Sequence, residues 1–278
     1  MRRSRGATIT LSIAGGLIAI AIFLPLWWVF VSSTRPGNTY VDNMTPLSWL
    51  AFIPWGGELT NYTGLLSGPF VLGLFNSFFV AGATILFGLL IAIPAAYALA
   101  TMRFRGRGIV FSFIVIVAMI PFDAIAIPLS SLFQGWNLSD SYAGLILPAL
   151  ANGFAIFVLR QFFLGIPSEL MEAAEIDGLG TFGTLWRIVL PLSKPALIGA
   201  GMMLFLSQWQ AYLWPLLIGT SPERQLAPIA LANLSTMFTV DLGQIMAGSF
   251  VLSIIPMILL LFFQKQYTES LSTTGLKG

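Results

Sequence analysis

Six apolar stretches, each long enough to cross about 30 Å of hydrocarbon as a helix of about 20 residues, dominate this chain. They run over residues 7–31, 71–100, 109–132, 141–164, 196–219 and 243–263. Of 278 residues, 57% are hydrophobic and only 9% are charged. Soluble domains carry about 25% charged residues, so little of this sequence is left for a water-facing surface. The expectation is an all-α membrane protein with six transmembrane helices, a single membrane domain over residues 1–278. The segment 7–31 exceeds the apolar region of a signal peptide and no small-residue cleavage pattern follows, so it reads as a retained first span. Pro94, Pro121, Pro128 and Pro148 predict kinks in the spans rather than breaks in the topology.

Lys and Arg set the orientation. Arg2, Arg3, Arg5, Arg103, Arg105, Arg107, Arg187, Lys194, Lys265 and Lys277 fall on one side. Only Arg35 and Arg224 fall on the other, with Arg160 near the inner end of the fourth segment. Both termini are therefore expected in the cytoplasm. The first external segment, 32–70, reads as an irregular loop with Trp49 and Trp55 as interfacial anchors. The net charge of +2 is too small to point to nucleic acid. The basic run MRFRGRG at 102–108 reads as a topology anchor with weak attraction to anionic lipid headgroups.

Cysteine and histidine are both absent, which removes disulfides, thiol nucleophiles, Cys/His metal sites and histidine proton relays. No paired intramembrane acids remain for acid–base or metal chemistry, so an intramembrane enzyme is disfavoured. None of the three lysines follows a glycine, which rules out a phosphate-binding P-loop.

Against this background, four of the eleven acids (Glu169, Glu172, Glu175 and Asp177) crowd into one place, in the cytoplasmic segment 165–195. Pro167 is suited to a helix start, and residues 168–176 read as a short helix that Asp177-Gly178 stops and turns. Leu170, Ala173 and Ala174 share one stripe, and Glu169 and Glu172 another. A second short helix is expected from an N-cap at Thr181 to Pro191, with Phe182, Leu185, Trp186 and Val189 as one amphipathic stripe. By pattern alone this unit is either a hairpin capping the bundle or an acidic-and-small face that docks a basic cleft.

The spacing Glu172-Ala173-Ala174, three residues, Gly178, nine residues, Ile188, one residue, Leu190-Pro191 resembles the EAA motif of ATP-binding cassette import permeases. All seven positions match. Further words are similar to the carbohydrate-uptake permeases of the maltose-importer type. They include FNS at 75–77, AAYALA at 95–100, RFRGR at 103–107, SYAGLILP at 141–148, LRQFF at 159–163, LPLSKPAL at 190–197, WQAYLWPLLI at 209–218 and the closing TGLKG. The resemblance covers nearly the whole chain after about residue 70. It implies the type I importer permease fold, a five-helix core at about 70–264, and a non-catalytic subunit in a bacterial or archaeal cytoplasmic membrane.

In that family the loop is a coupling helix seated in a cleft of the ATPase. Carried over, Glu172 makes a polar contact there, Ala173 and Ala174 permit close packing, and Gly178 makes the turn. The implied coupling set is completed by Glu169, Asp177, Phe182, Leu190 and Pro191. The implied partners are a second, different permease, two ATPase subunits carrying ATP and Mg²⁺, an extracytoplasmic solute-binding protein and membrane lipid. No cofactor is expected on this chain and no nucleic acid among its partners. Gln210-Ala211 departs from the Asn-Glu or Asn-Asp common after the fifth-span Trp, which bears on cargo rather than fold.

An ionisable residue inside a span is a functional candidate by default, and Asp123 is the one acid well inside. It either accepts hydrogen bonds from sugar hydroxyls in a translocation path or caps a proline-broken helix. Gln208, Trp209, Gln210 and Tyr212 combine amides with aromatic faces suited to pyranose rings, and Asn76 and Asn152 are further candidates. For each of these, interhelical packing is the competing role. The leading reading is a sugar or oligosaccharide importer working by alternating access. Its alternatives are a related permease for another solute such as glycerol 3-phosphate, polyamine or amino acid, and an ion-driven secondary transporter. The last predicts inverted repeats and buried charges, which are not evident.

Overall fold

A backbone without water must satisfy its own N–H and C=O groups, and a helix does so within one segment. The computed structural model describes residues 5–35, 49–54, 59–235 and 241–275, and all regular elements among them are helical. They are α1 (Arg5–Ser33), a 3-10 turn (Trp49–Phe52), α2 (Thr60–Leu66), α3 (Pro69–Thr101), α4 (Arg107–Ala118), α5 (Phe122–Gly135), α6 (Tyr142–Leu150) and α7 (Gly153–Leu164). Then follow α8 (Ser168–Ile176), α9 (Thr181–Thr184), a π-helical segment (Leu185–Val189), α10 (Leu190–Leu192), α11 (Lys194–Trp209), α12 (Leu213–Ile218), α13 (Ala227–Ala232) and α14 (Leu242–Gly275). Trp55, Arg2, Arg3 and the closing Leu276-Lys277-Gly278 lie outside the described residues.

Three stretches are long and apolar enough to cross a membrane unaided: Leu11–Ser33, Pro69–Thr101 and Leu242–Gln266. Three helix pairs reach the same length only through a sharp bend. These are α4 with α5 at 91°, α6 with α7 at 42°, and Thr181–Leu192 with α11 at 81°. The described residues therefore hold three spans, or up to six if each bent pair is one.

The bends correct the expectation of kinks alone. Proline disfavours helical backbone at the residue before it and donates no N–H, so α4 stops and Pro121 adopts extended backbone (φ −59°, ψ 123°) before α5 restarts at nearly a right angle. Pro94, Pro128 and Pro148 lie inside continuous helices. The α6–α7 bend falls at Asn152, whose side chain accepts the Ala155 N–H at 3.0 Å and so starts a new helix. Gly153 beside it is required by space, because a Cβ there would stand 2.7 Å from the Ala118 Cβ.

The chain divides into two compact units, each discontinuous in sequence. In the first (Met1–Leu72 and Ala230–Ile255), α1 presents an exposed apolar surface from Leu11 to Leu24, as suits a helix facing lipid. Its far end is tied by polar bonds: the Asn61 amide donates to the Ser33 and Arg35 carbonyls, and the Arg35 guanidinium to those of Leu50 and Ile53. The second unit (Gly73–Ile229 and Pro256–Gly278) holds two apolar clusters. In one, small Ala92, Ala96, Ala155, Ala196 and Ala200 let helices approach closely around Tyr97, Leu159 and Phe163. The other gathers Val80, Phe133, Leu145, Trp214 and Ile218.

Candidate functional site

The acidic segment forms α8 with the limits its sequence predicts, Ser168–Ile176. Glu169 lies in the first turn, where a negative charge complements the helix dipole. At the other end the Leu179 N–H reaches the Ala174 carbonyl (2.9 Å) and the Gly178 N–H that of Glu175 (3.0 Å). This is a Schellman stop, which needs left-handed backbone at its turn, and Gly178 supplies it with φ +77°. Glu169, Glu172, Ala173, Glu175 and Asp177 are exposed, while Ala174 is buried. None of the four carboxylates is in an ion pair among the described residues.

The second half of the loop differs from expectation in three respects. Its N-cap is Gly180, with Thr181 the first helical residue, because the Thr184 hydroxyl and N–H both turn back to the Gly180 carbonyl. The helix also runs through Pro191 to Leu192 rather than ending there. Proline offers no N–H to the Arg187 carbonyl and would press against it; widening to a π turn, in which the Leu190 N–H bonds the Leu185 carbonyl, relieves that conflict. Third, the apolar stripe splits. Leu185 and Val189, with Leu190, are buried beside Tyr97, Leu159 and Phe163. Phe182 and Trp186 point outward, 73% and 60% exposed, with Ile176 at 86%. One edge of the segment is thus embedded in the helical body, and the other offers aromatics next to carboxylates.

A second site is a cavity of about 1300 Å³ within the same unit. Three interruptions of helix converge on it: 119–121 between α4 and α5, 151–152 between α6 and α7, and 210–212 between α11 and α12. Irregular backbone at membrane depth is tolerated where it lines a cavity. Five of the seven residues proposed for a path are brought together here: Asp123, Asn152, Gln208, Gln210 and Tyr212. Asp123 sits in the first turn of α5, exposed, at a helix start that makes no side-chain capping bond. Gln208 donates to the hydroxyl of Thr84, a fully buried residue with no counterpart among the sequence candidates. Phe122, Phe154 and Tyr212 add exposed aromatic surface, and no Lys or Arg lines the cavity among the described residues.

Two candidates lie elsewhere. Trp209 is buried between the rings of Phe205 and Phe78, 5.3 and 5.0 Å away. Asn76, 2% exposed, donates to the Glu223 and Gln225 carbonyls and accepts the Tyr142 hydroxyl at 2.7 Å. It holds down the loop after α12, together with Ser77, which accepts the Ala227 N–H. Asp140 does the same for Thr220 and Ser221, and the Ser221 N–H holds its carboxyl below the usual carboxylate range. The polar turn Asn137-Leu138-Ser139-Asp140 was the available signal for this clasp; both Asn137 and Asp140 take positive φ there.

Residues 85–269 match the family described as binding-protein-dependent transport system inner membrane component. The arabinooligosaccharides transport system permease protein AraQ of Halalkalibacterium halodurans is 34% identical over 96% of both chains. The sn-glycerol-3-phosphate transport system permease protein UgpE of Yersinia pestis is 36% identical over 91% of both. A crystal structure of a bacterial ABC transporter involved in the import of the acidic polysaccharide alginate contains a chain of the same fold. It superposes with a TM-score of 0.78 at 23% identity, covering 96% of this chain and 99% of that one.

Proposed function

This chain belongs to the inner-membrane components of binding-protein-dependent transport systems, with the type I ABC permease fold, and we propose on that premise that it carries a neutral sugar or oligosaccharide. Each bent pair counts as one span in this reading, giving six. Both termini and the loop 168–192 face the cytoplasm, in line with the excess of Lys and Arg on that side. The chain itself performs no catalysis. ATP and Mg²⁺ belong to two separate ATPase subunits, a second and different permease completes the path, and an extracytoplasmic solute-binding protein delivers the cargo.

One observation carries the coupling role: the loop is outward-facing and acidic on α8, yet embedded through Leu185, Val189 and Leu190 in the cluster that contains α3, α7 and α11. An ATPase that moves Glu172, Phe182 and Trp186 moves those helices with them. Alternating access then follows from displacing packed elements, which shift as units rather than deform.

For cargo, the lining of the cavity supports one of the two chemistries that the relatives' names present. Amides, a phenol and aromatic faces suit a polyhydroxylated ring, and Asp123 can accept hydrogen bonds from its hydroxyls. A phosphate would meet that carboxylate with no basic side chain among the described residues of the lining to offset it. Asp123→Asn is accordingly expected to raise the KM for the neutral cargo by about tenfold, the effect of losing a hydrogen bond to a charged acceptor. Uptake into vesicles carrying the full transporter measures it. Improved uptake of glycerol 3-phosphate with no loss for sugars would favour the anionic alternative.

A further inference from the structure

Neither coupling nor the cavity employs the arginines of the turn between α3 and α4. Arg103 and Arg105 are exposed, and with Arg107, Thr101 and Phe104 they line an open depression of about 670 Å³. Arg107 closes the turn by donating to the Ala100 and Met102 carbonyls at 3.4 and 3.1 Å. Arg160 enters the neighbourhood from α7. Its Nε donates to the Leu99 carbonyl at 3.0 Å, its guanidinium lies 3.8 Å over the Phe111 ring, and it is within coulombic reach of Arg107. No ion pair involves any of these four arginines among the described residues. Like charges gathered this way repel one another unless an anion sits among them.

Depth narrows the choice of anion. Two residues past Arg107, α4 becomes a lipid-facing surface, with Ile109 77% and Ile116 62% exposed. Met102 and Phe104 beside the arginines are also exposed, side chains that favour the boundary between headgroups and acyl chains. The guanidinium groups therefore stand at headgroup level, where lipid phosphate is the abundant anion.

We propose that the α3–α4 turn is a binding site for the headgroup phosphate of an anionic phospholipid, held by Arg103 and Arg105, with Arg107 and Arg160 as fixed positive background. Guanidinium forks match phosphate oxygens in pairs, which distinguishes a site from diffuse attraction. Leu99 and Ala100 at the end of α3 share a cluster with Leu185 and Val189, so a lipid here would sit next to the coupling segment.

The test uses the assembled transporter in nanodiscs of phosphatidylcholine doped with phosphatidylglycerol, with retained lipid counted by native mass spectrometry. Wild type is expected to retain phosphatidylglycerol in preference to phosphatidylcholine, and R103Q/R105Q to lose that preference by about thirtyfold. A second arm needs no variant: a photoreactive phosphatidylglycerol should label the peptide containing residues 101–108, and a choline-headgroup probe should not. Three results would overturn the proposal: unchanged retention in R103Q/R105Q, even labelling of all loops, or displacement of the lipid by millimolar inorganic phosphate, which would mark a soluble-anion site.

Discussion

Replacing Gly178 with valine is expected to reduce ATP-driven uptake by more than about tenfold, while membrane insertion stays normal and hydrolysis continues uncoupled. The cause is conformational. A Cβ at this position meets nothing within 4 Å, so no clash is involved, but φ of +77° is strained for any L side chain and worst for a β-branched one. The cost of about 1–3 kcal/mol falls on two hydrogen bonds, from Leu179 to Ala174 and from Gly178 to Glu175. When that stop unwinds, α8 loses its fixed direction relative to Phe182 and Trp186, and the contact surface is no longer one rigid face. Asparagine tolerates left-handed backbone, so Gly178→Asn is expected to keep most of the uptake. Equal activity in the valine and asparagine variants would remove the turn from the coupling account.

The double variant F182A/W186A is expected to lose the ATPase from the purified complex while leaving the permease folded. Both side chains are mostly exposed, so removing them leaves no cavity in this chain. Aromatic residues at the centre of an interface commonly contribute about 2 kcal/mol or more each, so two of them weaken association by about a thousandfold. Leu185→Ala provides the contrast. That side chain is 3% exposed within the apolar cluster, and its truncation is expected to cost the permease about 2–5 kcal/mol of its own stability. Titration of purified ATPase against the permease in detergent separates the two outcomes. Retained ATPase in F182A/W186A would place the interface elsewhere on the chain.

Much of the segment 165–195 was legible because its signals are local. Pro167 before α8, the Asp177-Gly178 stop and the spacing to Leu190-Pro191 each depend on a few neighbouring residues, and α8 has the limits they predict. The long spans α1, α3 and α14 were legible for the same reason, since length and hydropathy alone select them. What escaped the sequence depends on tertiary partners. Four prolines look alike in a string, yet only Pro121 breaks its helix outright; Pro94, Pro128 and Pro148 stay inside theirs. The π turn at 185–189 reconciles Pro191 with a helix that its buried neighbours keep intact, a compromise that periodicity does not contain.

The candidates for the path divide on the same grounds. Asp123, Asn152, Gln208, Gln210 and Tyr212 reach one cavity because three separate helix interruptions meet there. Asn76 and Trp209 carry equally suitable chemistry, but the first is consumed by three hydrogen bonds and the second by two rings. A residue's type shows what it can bind. Its packing decides whether anything is left to bind.

In the proposed function, α8 and the segment after it are a docking face. The chain contains no cysteine, so a single introduced thiol reports on one position without background. Ala173 is exposed on α8 and Lys265 is exposed on α14, and A173C and K265C place a thiol at each. A maleimide is expected to label both in the isolated permease, and added ATPase subunits are expected to protect A173C while K265C continues to react. Equal labelling of A173C with and without the ATPase would place the docking face elsewhere.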